Sequence, residues 1–143
     1  MLTELKIRPA KKEEHKAIIK VAVKSKFTSD FTNRLMFSSD AAYRKGWIWV
    51  AELGDEIVGF TCVRHKIREP VTVLYFIGVH PNVRDQGIGR ALMEQLVLES
   101  PHKCIHLNVI KTNIGAVKFY QDLGYKIIGS TMANQAHQME LVW

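Results

Sequence analysis

The chain has few of the features on which secreted and membrane-bound proteins rely. It carries two cysteines, Cys62 and Cys104, among its 143 residues. That is too few for a disulfide scaffold, and each lies inside an apolar run, so they read as buried, reduced thiols rather than as a bridge or a metal pair. No apolar stretch approaches the roughly 18 residues that a membrane span requires. The N-terminus also lacks an apolar leader core, so no anchor, signal peptide or membrane partner is expected and the chain reads as cytoplasmic. Proline is scarce, at four residues, and repeats, low-complexity tracts and linkers are missing. Acidic residues are outnumbered by basic ones, 14 to 20, for a net charge of +6. The surplus favours anionic partners such as phosphates, nucleic acid or acidic protein without choosing among them. Lys11, Lys12, Lys16 and Lys20 cluster near the start, and they read as a solvated helix face.

What is present is ordinary globular material. Apolar residues make up 47% and charged residues 24% of the chain, which excludes disordered, collagen-like and coiled-coil classes. One domain over residues 1–143 is expected, burying roughly two-thirds of the surface its unfolded chain exposes and needing neither disulfide nor metal to fold.

The pattern predicts a strand at Leu5–Ile7 closed by Pro9, then a helix over Lys11–Lys24 with Ala17, Ile18, Val21 and Ala22 on its apolar face. A weaker helix is expected over Ser29–Lys45, broken near Ser38 and Ser39. Trp47–Ala51 and Ile57–Val63 read as a hairpin about Gly54-Asp55-Glu56. Val71–Val79 reads as a strand leading through His80-Pro81 into a helix over Gly87–Glu99. Ile105–Ile110 is a further strand, and a helix carrying Ala116, Phe119, Tyr120 and Leu123 ends at Gly124. Tyr125–Ile128 and His137–Val142 form a terminal strand pair around the polar loop Ser130–Ala136. The class is therefore mixed α/β, with helices on the faces of one mixed sheet.

The chemistry concentrates where the strand ending at Val79 feeds Arg84-Asp85-Gln86-Gly87-Ile88-Gly89-Arg90. Free backbone N–H groups and a positive dipole at a helix start suit an anion, and glycines let a phosphate approach closely. A dinucleotide fingerprint fails because Leu92 stands where a third small residue belongs, and a Walker loop fails because Arg90-Ala91 replaces Lys-Ser/Thr.

Arg84, Gly87 and Gly89 meet the pattern of the acetyl-CoA loop in the GNAT superfamily of acyl-CoA N-acyltransferases, which this loop resembles. A second stretch, Asn113-Ile114-Gly115-Ala116 through Phe119-Tyr120 to Gly124-Tyr125, resembles that family's later motif. The resemblance implies one GNAT-like domain, a mostly antiparallel twisted sheet of six to seven strands with about four helices, and an N-acetyltransferase that moves acetyl from acetyl-CoA to a primary amine by direct attack. It also implies roles. Backbone groups of Ile77 and Val79 would hold pantetheine, with the Val79 N–H as oxyanion donor. Arg84, Gln86, Gly87, Ile88, Gly89 and Arg90 would take the pyrophosphate. Asn113 would touch the cofactor or cap its helix, and Tyr120 would be the general acid toward the leaving thiolate.

The sequence departs from the family where a glutamate base is common, since Tyr75 and Asn108 stand at the corresponding positions. His106 is then the base candidate, with His80 behind it as base or turn cap. An acyl-cysteine route lacks an evident His and acid partner. Trp47 and Trp49 share a strand face and read as packing rather than base-stacking residues. Residues Phe27–Tyr43 and Ser130–Ala136 would line the acceptor site by analogy, and the basic charge leans toward an acidic or nucleic-acid-linked amine. A homodimer through the C-terminal strands is compatible with the fold. The alternative is a non-catalytic CoA-sensing or RNA-binding module on the same fold.

Overall fold

The computed structural model describes residues 4–25 and 39–143. In chain order the elements are β1 (Leu5–Pro9), a 3-10 turn (Lys12–Glu14), α1 (His15–Lys24), α2 (Asp40–Arg44), β2 (Ile48–Leu53), β3 (Glu56–His65) and β4 (Thr72–Val79). A second 3-10 turn (Pro81–Val83), α3 (Ile88–Glu99), β5 (Cys104–Ile110), α4 (Ile114–Asp122), β6 (Lys126–Thr131) and β7 (Ala136–Val142) follow.

The strands form one seven-stranded sheet in the order β1-β2-β3-β4-β5-β7-β6. The pairs β1–β2, β2–β3, β5–β7 and β6–β7 are antiparallel, whereas β4 and β5 run parallel. The parallel step follows from α3, because a parallel neighbour needs a long crossover. With four α-helices among the described residues, this is the expected mixed sheet. The terminal strand pair also forms as expected, but β7 lies between β5 and β6, a neighbour relation that strand pattern alone does not encode.

Two boundaries differ from the sequence reading for local reasons. The first helix begins at His15 rather than Lys11, because Lys12–Glu14 closes a tighter turn. Glu14 Oε1 accepts the Lys11 N–H at 2.8 Å, while Arg8 holds the same carboxylate through Nη1 at 2.9 Å and Nη2 at 2.6 Å. That guanidinium keeps the Glu14 carboxyl below its ordinary range. Of the second helix, residues 29–38 lie outside the described residues. The described part, α2, starts at the expected break, where the Ser39 side chain accepts the Ala42 N–H.

The chain divides into two compact units, Met1–Val63 with Phe76–Leu98, and Arg64–Tyr75 with Glu99–Trp143. In the first, Ile18, Val21 and Ala22 of α1 pack on Ile48, Val50, Phe60 and Cys62, whereas Ala17, expected on the same face, is exposed because it lies a helical step to the side of the buried stripe. Each large apolar side chain so buried contributes about 1.5–3 kcal/mol. A separate cluster sets Ile88 and Leu92 of α3 against Ala51 and Val58, with Ile77, Val79 and Val83 beside them. Phe76 joins the first cluster and Ile77 and Val79 the second, as strand alternation requires. Trp47 packs on the α1 cluster with Lys45 Nζ 4.9 Å from its ring centroid, and Trp49 donates its indole N–H to Gly46 O at 3.1 Å. Trp47 is thus a packing residue, as expected.

Candidate active site

The end of β4 is held by its two peptide faces. His80 donates its N–H to Val58 O on β3 at 2.7 Å, and the Gly78 carbonyl oxygen lies 3.1 Å from where a Cβ would stand on Gly59. In a trans peptide the N–H points opposite to the carbonyl, so the N–H and C=O of Val79 both face away from β3. The Ser25 hydroxyl, at the end of α1, lies 3.1 Å from Val79 O and 2.7 Å from Val21 O, which fixes the orientation of the strand end. Nothing in the local pattern around Ser25 marks it for this contact. Gly59 is required for space, since Gly78 O at 3.1 Å and Leu92 Cδ1 at 3.2 Å would crowd any Cβ there. The ladder from β4 to β5 comprises Thr72↔Ile105, Val73↔His106 and Leu74↔Leu107, which leaves the later residues of β4 outside it.

Beyond Val79 the chain turns sharply into α3. His80 Nδ1 accepts the Asn82 N–H at 3.1 Å and so caps the 3-10 turn, the bland alternative for this residue in the sequence. Asp85 at φ 63° and Gly87 at φ 81° are both left-handed. Gly87 O then accepts the Ala91 N–H at 3.0 Å and opens the helix, so helix geometry leaves the N–H groups of Ile88, Gly89 and Arg90 pointing out of its positive end. A Cβ on Gly87 would meet nothing within 4 Å. The glycine is there for its backbone angle, and the space above it is open to an anion. Arg84 Nη2 lies 3.4 Å from Ser25 O, and Arg90 Nε lies 3.7 Å from Glu94 Oε1.

In the second unit, α4 is bounded by its motif residues. Asn113 Oδ1 accepts the Ala116 N–H at 3.2 Å as the N-cap. At the other end the Tyr125 N–H reaches Tyr120 O at 3.0 Å and the Gly124 N–H reaches Gln121 O at 2.9 Å, with Gly124 at φ 98°. This is a Schellman cap, and the hydrophobic contact that accompanies such caps is the edge-on pair Tyr120–Tyr125, ring centroids 5.8 Å apart. Phe119 meets Tyr120 at 5.3 Å. Tyr120 is buried, and burial pushes its phenol up to about 12.

Strand β5 buries Ile105, Leu107 and Val109 and turns Cys104, His106 and Asn108 the other way. His106 stands directly opposite Glu140 in the β5–β7 ladder, and its Nε2 lies 2.8 Å from Glu140 Oε2. Cys104 Sγ lies 3.6 Å from the same oxygen. The imidazole is the first cause holding the Glu140 carboxyl below its ordinary range. Sequence reasoning missed Glu140, a carboxylate that β5 lacks and β7 supplies from across the ladder. Neither cysteine suits a nucleophile: burial pushes Cys62 up to about 12, and burial together with Glu140 raises Cys104.

Comparison with known proteins identifies the family. The Acetyltransferase (GNAT) family model matches residues 20–125. A 5-NmdU N-acetyltransferase of Pseudomonas phage PaMx11 is 46% identical over 137 residues, covering 96% of this chain and 98% of the phage protein. Among solved structures, the ribosomal-protein-S18-alanine N-acetyltransferase of Escherichia coli shares the fold with a TM-score of 0.80 at 20% identity, covering 96% of this chain and 93% of that one. A PaiA N-acetyltransferase of Thermoplasma acidophilum in complex with coenzyme A has a TM-score of 0.78 at 18% identity, covering 97% and 99%. The family's co-substrate is acetyl-CoA, and the open helix start beyond Gly87 fits its phosphates. Among the described residues no helix is long and apolar enough to cross a membrane. With the family model spanning most of the chain and a relative of nearly half identity aligned almost end to end, the chain belongs to the GNAT acetyltransferase family and is an acetyl-CoA-dependent N-acetyltransferase.

Proposed function

We propose that this protein acetylates the amine of a modified deoxyuridine, as a nucleoside or within a nucleic acid, and that residues 1–143 act as one transferase domain. The observation that carries the acceptor class is the near full-length identity to the phage enzyme named for 5-NmdU. The net charge of +6 supports an acceptor joined to phosphates. Two free thiols support a cytoplasmic setting.

Acetyl-CoA supplies an activated acyl group, a thioester whose carbonyl gains negative charge under attack and whose sulfur departs as a thiolate. The N–H groups from Gln86 to Arg90, with the charges of Arg84 and Arg90, hold the pyrophosphate. Backbone groups of Ile77 and Val79 hold the pantetheine, a reading supported by the way Val79 faces away from β3. The Val79 N–H donates to the developing oxyanion, a contribution of about 3 kcal/mol where such donors have been removed elsewhere. His106 accepts at Nδ1 the proton that the attacking amine must lose, with Glu140 holding the ring through its 2.8 Å bond to Nε2. Tyr120 keeps its proton throughout the working range and donates to the departing sulfur. Asn113 uses its carboxamide oxygen on the cap, so any contact with the cofactor falls to its amide NH2.

The acceptor is tested with purified protein, acetyl-CoA and a panel containing 5-NmdU as nucleoside, 5-NmdU in single- and double-stranded oligonucleotides, a lysine peptide and an alanine N-terminal peptide. Mass spectrometry is expected to find acetyl gain on the 5-NmdU substrates and none on the peptides. Acetylation of the peptides in preference to every 5-NmdU substrate would refute the acceptor class while leaving the transferase intact.

A further inference from the structure

We propose that Cys104, His106 and Glu140 form a binding site for a borderline-soft divalent cation, zinc above all. One sulfur, one imidazole nitrogen and one carboxylate oxygen from these side chains lie within 4.8 Å of one another. An ion pair between His106 and Glu140 would account for two of the three. The Cys104 thiol adds a third donor atom, meeting the same oxygen, Glu140 Oε2, at 3.6 Å.

The backbone sets this convergence in advance. Cys104 and His106 are two residues apart on β5 and share a face, and Glu140 is registered opposite His106 on β7. The ligands thus come from a paired ladder, so little ordering remains to be done when an ion arrives. All three residues are partly exposed, so an ion can enter. The other cysteine, Cys62, is fully buried in the α1 cluster and offers no competing thiol.

Donor chemistry selects the ion. Calcium and magnesium want oxygen ligands throughout, whereas a thiolate, an imidazole and one carboxylate suit zinc and its tetrahedral neighbours. Three protein ligands leave a fourth position for water or an added anion. Binding forms bonds from the metal to Sγ, to the carboxylate and to Nε2 of the neutral ring, whose proton sits on Nδ1, and it releases the thiol proton to solvent, so no oxidant or further reactant is needed.

The site involves the same imidazole that the proposed mechanism uses as base. A bound ion would therefore slow acetyl transfer. That consequence rests on the base reading, whereas metal binding does not.

The test uses the full chain, stripped with chelator and titrated with Co2+ alone. The expected result is one Co2+ per chain, with a thiolate-to-cobalt charge-transfer band and the strong visible bands of four-coordinate cobalt, all removed by Zn2+. Cys104→Ser, its fold verified by circular dichroism, should lose the charge-transfer band. His106→Gln should weaken binding by at least about 100-fold, since even outer partners of a ligand cost 10–100-fold. A folded wild-type protein without a charge-transfer band, or a band that persists in Cys104→Ser, would overturn the site. A protein that binds Co2+ and transfers acetyl at an unchanged rate would refute the base role of His106 while upholding the metal site.

Discussion

His106→Ala is expected to lower kcat by about 10²–10³-fold, within the range that a positioned acid or base contributes. The amine acceptor is mostly protonated at neutral pH and must lose a proton to attack, and β4 and β5 carry no carboxylate. His106 is only partly buried, its side chain 26% exposed, so truncation removes a proton acceptor without opening a core cavity. The Tm should change little. Added imidazole should restore part of the lost rate, an effect that a purely structural role would not produce. Glu140→Gln should cost less, because it removes the group that orients the ring and leaves the ring itself. Rates are measured with a chelator present, so that they report the proton step and not metal occupancy. An unchanged kcat in His106→Ala would return the base to solvent.

Tyr120→Phe is the second large effect, an expected loss of about 10²-fold or more in kcat with KM for acetyl-CoA nearly unchanged. The ring keeps its edge-on contacts with Phe119 and Tyr125, and the Schellman cap depends on the Tyr120 carbonyl, not on its hydroxyl. The fold should therefore survive. A phenol pushed up to about 12 by burial retains its proton at any working pH, so no loss of donor activity is expected on the alkaline side until well above neutrality. A leaving group that needs no help would erase the effect: with an acetyl ester of a more acidic thiol in place of acetyl-CoA, the difference between Tyr120→Phe and wild type should shrink.

Local features of the site were legible because they depend on local chemistry. Gly87 and Gly124 are readable as glycines since each occupies a left-handed angle next to a helix end, at φ 81° and 98°. Asn113 was readable as a cap for the same reason, and part of what makes the second motif distinctive is physically the two ends of α4. The two faces of β4 followed from alternation. Glu140 was not legible, because its meeting with His106 requires β7 to lie beside β5 rather than beside β6 alone, and hydrophobic pattern carries no record of which strands become neighbours. Ser25 was hidden for a similar reason, as its hydroxyl reaches across 54 positions of sequence to Val79 O. Asp85 at φ 63° was missed because a left-handed aspartate looks like any other loop residue in sequence. The early 3-10 turn escaped notice because Arg8, on a strand, provides the charge that holds Glu14.

In direct attack the acetyl group passes from the thioester straight to an amine, with no stop on the protein. Incubating the enzyme with acetyl-CoA labelled in the acetyl group, first alone and then with the 5-NmdU nucleoside, and following the label by intact-protein and nucleoside mass spectrometry separates this route from a covalent one. No label is expected on Cys62, Cys104 or any other side chain in the first stage, and quantitative label is expected on the acceptor nitrogen with matching release of free CoA in the second. Acetyl-cysteine that forms without acceptor and is chased onto the amine would contradict it.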